Sequence, residues 1–323
     1  MKEIGSFIEL ELPKGMEFYK GVKDIARLNT GRSAIWHAFR LIGADAIWIP
    51  YYQCESVRDF LKRKGSVVKF YHQDREFNPI DLTPASNEAV LLVNYFGVMS
   101  FERMSGLASR FKNVIVDNCQ AFFCPPVPGA YNVYSARKFM GVPDGAYVVG
   151  ENAESFIDEY PQGFSSDTAD FLLKRIEYGC EGKGYEARTV NEERIDKEDI
   201  MKMSGLTRSL LDGADYESII EKRKGNFRIA SELFSEMNCL DANLYMDEDT
   251  VPMVYPLVVE DDDLLDRLLA AKHFQGRWWK YITDELPDET FEYWLSRYMI
   301  PITIDQRYGR EELEFIYSVV RNV

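Results

Sequence analysis

Apolar runs of strand length alternate with helix-like patterns between about residues 29 and 150. The pattern predicts a helix that opens near residue 30 and ends at Gly43, and further helices at 56–64 and 101–111. It predicts strands at residues 46–49, 67–71, 89–94, 114–117, 131–134 and 146–149. Because strands that alternate with helices are typical of a parallel sheet covered by helices, we expect an α/β domain.

The pattern changes after residue 150. Residues 177–199 are charged and interrupted by glycines, which is typical of a mobile segment or one that contacts a partner, and we assign it no core role. Beyond it we predict a long helix at 215–237, a strand at 253–259, a helix at 262–271, a strand at 299–302 and a final helix at 310–321. The sequence thus predicts a large domain with its N-terminal segment at 1–213 and a smaller α+β domain at 214–323.

Composition and charge narrow the classes of function. The chain has 323 residues, of which 46% are apolar, and a formal net charge of -15. A surplus of acidic residues argues against general nucleic-acid binding, because no excess cations are present to displace phosphate counterions. The N-terminal segment lacks the features of a signal peptide and no apolar run is long enough to span a bilayer, so we expect a soluble, cytoplasmic protein without membrane contact.

The metal-binding residue types give no pattern. Five cysteines occur at positions 54, 119, 124, 180 and 239 without a C-x-x-C spacing, and the three histidines are widely separated. Neither a disulfide framework nor a zinc site is indicated, so we predict no metal.

Two strand ends carry the candidate catalytic groups. The predicted strand at 114–117 ends on Asp117, and the next strand is followed by Lys138. A carboxylate and a lysine amine at one edge of a sheet are the groups that pyridoxal phosphate (PLP) chemistry requires, for the ring nitrogen and for the Schiff base. A capping aspartate and a surface lysine are the alternatives. The apolar neighbours of Lys138 favour a semi-buried lysine.

Two further motifs accompany this pair. Gly31 and its small neighbours lie at a predicted helix start, where free amides and the helix dipole attract an anion, although an ordinary Thr or Ser cap is the alternative. Ser135 and Lys138 form an S-x-x-K spacing, which also occurs in serine acylases, but the companion S-D-N and K-T-G motifs of that class are missing. An anion site, an acid and a lysine at one sheet edge together favour PLP.

The motifs in this order resemble the DegT/DnrJ-type sugar aminotransferases, mainly over residues 25–150. They are Asn29-Thr30-Gly31-Arg32-Ser33-Ala34, Ile49-Pro50-Tyr51-Tyr52, Val116-Asp117-Asn118-Cys119-Gln120-Ala121 and Ser135-Ala136-Arg137-Lys138. The resemblance implies the PLP-dependent transferase fold type I, with a mostly parallel mixed sheet in the large domain and a smaller C-terminal α+β domain. It also implies a homodimer with active sites at the interface.

The resemblance assigns roles to individual residues. Lys138 would form the internal aldimine and later carry protons, and Asp117 would pair with the pyridinium nitrogen. Gln120 would lie beside the phenolic oxygen. Residues expected to bind the phosphate are Gly31, Arg32, Ser33 and Ser135.

Some positions depart from the family. Arg32 stands where the family has threonine, so its guanidinium either contacts the phosphate or faces solvent. The aromatic that stacks on the cofactor falls at Cys54, and Tyr51 or Tyr52 is the candidate replacement. The asparagine that the partner subunit contributes has no clear counterpart.

Three segments are candidates for substrate contact: residues 179–184, 276–280 and 305–308. Their Trp and Arg side chains suit a planar, anionic ligand, whereas the alternative is core packing with a surface ion pair.

These expectations give a leading function and two alternatives. We expect a PLP-dependent aminotransferase that transfers an amino group to a keto sugar or sugar nucleotide in sugar or polysaccharide biosynthesis. The expected amino donor is glutamate. The alternatives are a PLP-dependent sugar dehydratase and a non-catalytic or regulatory relative that keeps the fold. Some relatives replace the Schiff-base lysine by histidine. The presence of Lys138 argues against that variant in this chain.

Overall fold

One large mixed sheet organises the chain. The structure is a computed structural model that describes residues 4–321. The strands are β1 (Ile25–Leu28), β2 (Ala46–Pro50), β3 (Val67–Gln73), β4 (Pro79–Ile80), β5 (Glu88–Val93), β6 (Val114–Asn118), β7 (Tyr131–Ser135), β8 (Ala146–Val149), β9 (Val254–Val258) and β10 (Met299–Thr303). The first eight form a sheet in the order β1-β8-β7-β6-β5-β2-β3-β4.

The centre of this sheet is parallel and its edges are antiparallel. Strands β3, β2, β5, β6 and β7 run in one direction, whereas β4, β8 and β1 join by antiparallel pairing. All five residues of β6 are buried, as expected for a central strand covered on both faces. The carboxyl ends of the parallel strands therefore meet at one edge, where open α/β sheets bind their ligands.

Helices cover the sheet and make up most of the second half of the chain. They are α1 (Gly31–Ile42), α2 (Glu55–Arg63), α3 (Phe101–Ala108), α4 (Asp170–Tyr178), α5 (Lys183–Lys197), α6 (Gly205–Asp212), α7 (Tyr216–Phe234), α8 (Leu264–Ala270), α9 (Ile282–Glu285), α10 (Phe291–Tyr298) and α11 (Arg310–Arg321). Helix α1 packs on β6, β7 and β8. In the C-terminal part, β9 and β10 form a separate two-stranded antiparallel sheet.

Local sequence explains why α1 begins and ends where it does. Thr30, in an extended conformation, accepts a hydrogen bond from the backbone N–H of Ser33 and so caps the helix. Gly43 ends the helix at φ 66°, a left-handed conformation that glycine adopts without steric cost. Ile35, Ala38 and Phe39 are buried on the face that packs on the sheet.

The predicted fold class is confirmed. Every predicted strand and helix is present, with bounds that differ by a few residues, and the sheet is mixed and mostly parallel as expected. The division into units at residue 213 stays a prediction.

The segment after residue 150 is where the sequence analysis was wrong. We assigned residues 177–199 no core role, but most of them lie in α5 and the end of α4, and Ala187, Asn191 and Ile195 of α5 are buried. Helix α5 is strongly charged, so its apolar periodicity is weak, and it is held by polar contacts that periodicity does not register. The edge strands β1 and β4 and helices α6, α9 and α10 were also not predicted.

Candidate active site

The predicted acid and lysine follow neighbouring strands at the same sheet edge. Asp117 lies near the end of β6 and pairs in register with Val133 of the parallel strand β7. Strand β7 ends at Ser135 and leads into a single 3-10 turn, Ala136–Lys138. The sheet thus delivers both candidate groups to one place, as the strand pattern predicted.

The start of α1 is joined to the turn that carries the lysine. The backbone N–H of Gly145 donates to the carbonyl of Asn29 at 2.7 Å, and the N–H of Ala136 donates to the carbonyl of Gly145 at 3.0 Å. Gly145 has φ +115°, which other residues rarely adopt. These two bonds hold the helix start and the lysine turn in a fixed relation.

The thiol of Cys119 lies where these elements converge. Burial raises the pKa of this thiol well above its ordinary value, and the carboxylate of Asp117 raises it further, whereas the positive charge of Lys138 lowers it. The Sγ atom is also 2.7 Å from the place of a Cβ on Gly31. Cys119 therefore links the end of β6, which carries Asp117, to the start of α1.

The carboxylate of Asp117 is buried and hydrogen-bonded at both oxygens. The backbone N–H of Cys119 donates to Oδ1 at 3.0 Å. The side-chain amide of Gln53 donates to Oδ2 through Nε2 at 3.2 Å. Sequence reasoning missed Gln53, although its position just beyond the end of β2 is a signal that could have identified it.

The first amides of α1 suit an anion. The N–H of Ser33 is occupied by the Thr30 cap, and the hydroxyls of Thr30 and Ser33 are 2.8 Å apart. The N–H groups of Gly31 and Arg32, one and two positions into the helix, have no acceptor within the helix. Of the two residues expected to donate backbone amides to the phosphate, Arg32 is thus better placed than Ser33, and Gly31 offers a further amide.

The side chain of Arg32 serves another purpose than we expected. It neither faces solvent nor extends over the helix start, but is buried against α5, where it bonds the carboxylate of Asp196 at 2.7 Å and the backbone carbonyl of Ile195. The guanidinium satisfies a carbonyl at the end of α5, which explains its burial. Both alternatives given for this side chain are wrong.

The side chain of Lys138 is exposed, so the expectation of a semi-buried lysine is wrong. Its apolar neighbours Ala136, Phe139 and Met140 are buried and occupy the core positions of the turn. The lysine amine is left accessible at the sheet edge. Two side chains hold the next residue. Gln306, from the candidate substrate segment 305–308, donates to the carbonyl of Phe139 at 2.9 Å. The guanidinium of Arg223, which the sequence did not suggest, lies 4.5 Å from the Phe139 ring centroid.

Gln120 and Tyr52 are both buried. Gln120 accepts a hydrogen bond from the backbone N–H of Phe96 at 2.7 Å, which leaves its amide N–H₂ group as a donor. The Tyr52 ring meets Trp279 edge-on, with centroids 4.4 Å apart. The Tyr52 hydroxyl is buried without a hydrogen-bond partner among residues 4–321. Tyr51 instead stacks on Phe70, at 5.1 Å.

The side chains of the candidate substrate segments pack against other parts of the chain or pair with a neighbouring residue. Trp278 stacks on Phe96 at 5.6 Å, and Arg307 forms a two-pronged ion pair with Asp305, with both contacts at 2.8 Å. Residues 179–182 form the turn between α4 and α5. Core packing and a local ion pair account for these side chains as they stand.

Residues 4–321 contain neither a candidate metal centre nor a candidate membrane-spanning helix. No three or more His, Cys, Asp or Glu side chains gather there as metal ligands would. No helix in the same range is both long and apolar enough to cross a membrane.

Solved structures of other proteins share this architecture. A DegT/DnrJ aminotransferase from Brucella abortus matches with a TM-score of 0.61 at 15% identity, over 94% of this chain and 86% of that one. This chain has the fold of the sugar aminotransferases. A Streptococcus pneumoniae protein assigned as a sugar aminotransferase, in its PLP form, matches with a TM-score of 0.65 at 12% identity, over 94% and 87% of the two chains.

A structure with a different reaction in its name also shares the fold. The Escherichia coli GDP-4-keto-6-deoxy-D-mannose-3-dehydratase with bound hydrated PLP matches with a TM-score of 0.64 at 15% identity, over 94% of this chain and 90% of that one. No family model and no curated protein matches the sequence. Since identities this low establish the fold alone, the reaction has to be argued from the site.

Proposed function

We propose that this chain is a PLP-dependent aminotransferase of the DegT/DnrJ type, which transfers an amino group from glutamate to a keto sugar or sugar nucleotide. One observation carries the proposal: Asp117 lies near the end of β6, Lys138 follows the paired strand β7, and Gly145 hydrogen-bonds the start of α1 to the turn that carries Lys138. An acid, an accessible amine and an anion-binding helix start are thus within reach of one small cofactor.

The phosphate end of PLP fits the start of α1. Gly31 and Arg32 offer backbone N–H groups there, and the helix dipole adds positive potential for an anion. Ser135 ends the neighbouring strand β7, and its side chain has no hydrogen bond to cap the turn that follows. Ser135 is also close to the helix start, because its Cβ lies 3.9 Å from the place of a Cβ on Gly31.

The ring end fits Asp117, Gln120 and Lys138. The buried carboxylate of Asp117 accepts a hydrogen bond at each oxygen, which holds it in a fixed plane and suits an N–H donor on the ring nitrogen. The free N–H₂ group of Gln120 suits the phenolic oxygen. When bound, PLP supplies an electron sink for the electrons of a deprotonated carbon.

The amine of Lys138 has two tasks in this proposal. Exposed at the sheet edge, it is accessible to the cofactor's aldehyde and then, once displaced by an amino donor, acts as the general base and acid at the substrate carbon. The contacts of Gln306 and Arg223 with Phe139 hold the turn from which the amine acts.

Absorbance spectroscopy with site-directed variants tests this function. The purified protein supplied with PLP should show a visible band that borohydride removes, and Lys138→Ala should abolish the band whereas Lys222→Ala, on exposed α7 surface, should keep it. Glutamate should then convert bound PLP to the pyridoxamine form. No uptake of PLP would favour the non-catalytic alternative, and uptake without any response to amino donors would favour the dehydratase.

The acceptor is proposed from the fold neighbours and needs its own measurement. A panel of keto-sugar nucleotides, mixed with the pyridoxamine-loaded protein, should regenerate the visible band with the true acceptor class. Keto acids without a sugar provide the comparison. Regeneration by keto acids alone would contradict a sugar acceptor.

We further propose that two copies of the chain associate. Helices α4 and α5 and the segment before them expose large apolar side chains, including Phe164 at 78% and Ile176 at 82%. Apolar surface of this extent on one hairpin is typical of a protein interface. Sedimentation should show a dimer that Ile176→Lys dissociates, whereas Phe315→Lys on α11 should leave it intact.

A further inference from the structure

Gln53 stands in direct contact with the acid of the candidate site. It is 3% exposed, and its Nε2 donates to Asp117 Oδ2 at 3.2 Å. Strand β5 lies between β6, which carries Asp117, and β2, which ends three residues before Gln53, so the contact spans the carboxyl edge of the sheet. Together with the Cys119 N–H on Oδ1, it leaves neither carboxylate oxygen without a donor.

The orientation of the Gln53 amide follows from its other contacts. Its Oε1 accepts the backbone N–H of Cys54 at 2.7 Å, so the opposite end of the amide, Nε2, must be the one that faces Asp117. The Gln53 amide therefore presents a donor to a carboxylate oxygen, which accepts hydrogen bonds.

Gln53 is also anchored to the C-terminal part of the chain. The hydroxyl of Tyr281 donates to the Gln53 carbonyl at 2.7 Å, and the Arg58 guanidinium covers the Tyr281 ring at 4.6 Å. The backbone N–H of Gln53 donates to the carbonyl of Tyr51. Main chain and side chain of Gln53 are thus both fixed, which pre-organises the donor toward Asp117.

We infer that Gln53 is a positioning residue for the cofactor, acting through Asp117. It holds the carboxylate in the plane that meets the ring nitrogen of PLP, and as a neutral donor it adds no positive charge to compete with that ring. This inference rests on the proposed function. A purely structural role, capping the start of α2 through Cys54, is the reading to be excluded.

Two substitutions separate these readings. Gln53→Met removes both the donor to Asp117 and the acceptor for Cys54. Gln53→Glu keeps the acceptor and replaces the donor by a second carboxyl group, which donates only while it holds a proton. Gln162→Met is the matched control, because Gln162 donates to the backbone carbonyls of Gly163 and Met203 and has no contact with Asp117.

The readouts are the dissociation constant of PLP and the visible spectrum from pH 6 to 9. We expect Gln53→Met to weaken PLP binding by about tenfold or more, the usual effect of losing a hydrogen bond to a charged group. Gln53→Glu should bind PLP weakly at pH 9 and approach the unsubstituted protein at pH 6, while Gln162→Met stays unchanged.

The outcomes distinguish this inference from the function on which it rests. Wild-type affinity of Gln53→Glu at every pH would assign Gln53 to the capping role and overturn the inference, even if Gln53→Met is weakened. If Gln53→Met does not fold, the pH series of Gln53→Glu decides alone. Failure of the unsubstituted protein to take up PLP would overturn both proposals.

Discussion

The Sγ atom of Cys119 lies 2.7 Å from the point at which a Cβ would stand on Gly31. Real Cβ atoms do not approach a neighbour so closely, so any side chain at position 31 must displace either Cys119 or the start of α1. This contact connects the helix that offers amides to an anion with the strand that carries Asp117. Glycine is required here for close packing, not for an unusual backbone angle.

Gly31→Ala should therefore weaken PLP binding and destabilise the fold. We expect a loss of about 1–3 kcal/mol in the free energy of unfolding from overpacking, measured by urea denaturation, partly offset by the better helix propensity of alanine. Gly205→Ala is the matched control. Gly205 also begins a helix directly after its capping residue, here a serine, but it has open space around it. The double variant with Cys119→Ala should recover much of the loss.

The Thr30 cap gives a second prediction about the same helix start. Thr30→Val removes the oxygen that accepts the Ser33 N–H at 3.2 Å, which should cost about 1 kcal/mol of stability and weaken PLP binding as well. Thr290→Val removes the equivalent cap of α10, where the N–H of Tyr293 donates at 3.3 Å. It should cost similar stability in thermal unfolding but leave PLP affinity unchanged. Equal effects on PLP would contradict an anion site at α1.

Arg32 should hold α5 to the large domain. Arg32→Leu leaves the Ile195 carbonyl without its donor and breaks the bond to Asp196, so we expect a loss of about 1–3 kcal/mol and faster hydrogen exchange across residues 183–197. Asp196→Asn keeps the carbonyl contact and removes only an ion pair whose acid is 67% exposed, so its cost should stay below about 1 kcal/mol. Unchanged exchange in Arg32→Leu would argue against this clamp.

The periodicity of apolar residues predicts strand ends well, but it does not predict side-chain contacts between distant segments. Asp117 and Lys138 could be identified because Asp117 lies near the end of a buried, β-branched strand and Lys138 follows the next strand, and the ends of parallel strands meet at one edge. The position of Gln53 after β2 marks it as a candidate, but its contact with Asp117 could not be predicted, because the two residues are 64 positions apart in the sequence and meet across a third strand. A side-chain hydrogen bond between distant segments leaves no periodic pattern.

The Arg32 side chain and α5 were missed together, for one physical reason. An arginine near a helix start suggests an anion contact by its chemistry, but here its partners are a backbone carbonyl and an exposed acid on α5. Helix α5 has few apolar positions, so its pattern predicts a mobile or partner-contacting segment without a core role. The burial of the Arg32 side chain is explained by its contacts with α5, and those contacts in turn help to hold α5 in place.

Glu88 gives a prediction about pH. It begins β5 and accepts hydrogen bonds from Lys69 of β3 and, at 2.7 Å, from the indole of Trp48 in β2. These bonds, the one from Lys69 foremost, lower the pKa of Glu88 to about 2. Because the folded-state pKa lies below that of an unfolded glutamate, about 4.3, this stabilisation is complete above that value and is lost as the pH falls toward 2.

Glu88→Gln should therefore lower the urea midpoint at pH 7, and the difference from the unsubstituted protein should narrow between pH 4.5 and pH 2. Glu102→Gln, at an exposed position of α3, should show little difference at any pH. The Glu88 variant keeps an acceptor for the indole of Trp48 but not the negative charge that attracts Lys69. A gap between the two proteins that stays constant down to pH 2 would show that shape and not charge holds these three strands together.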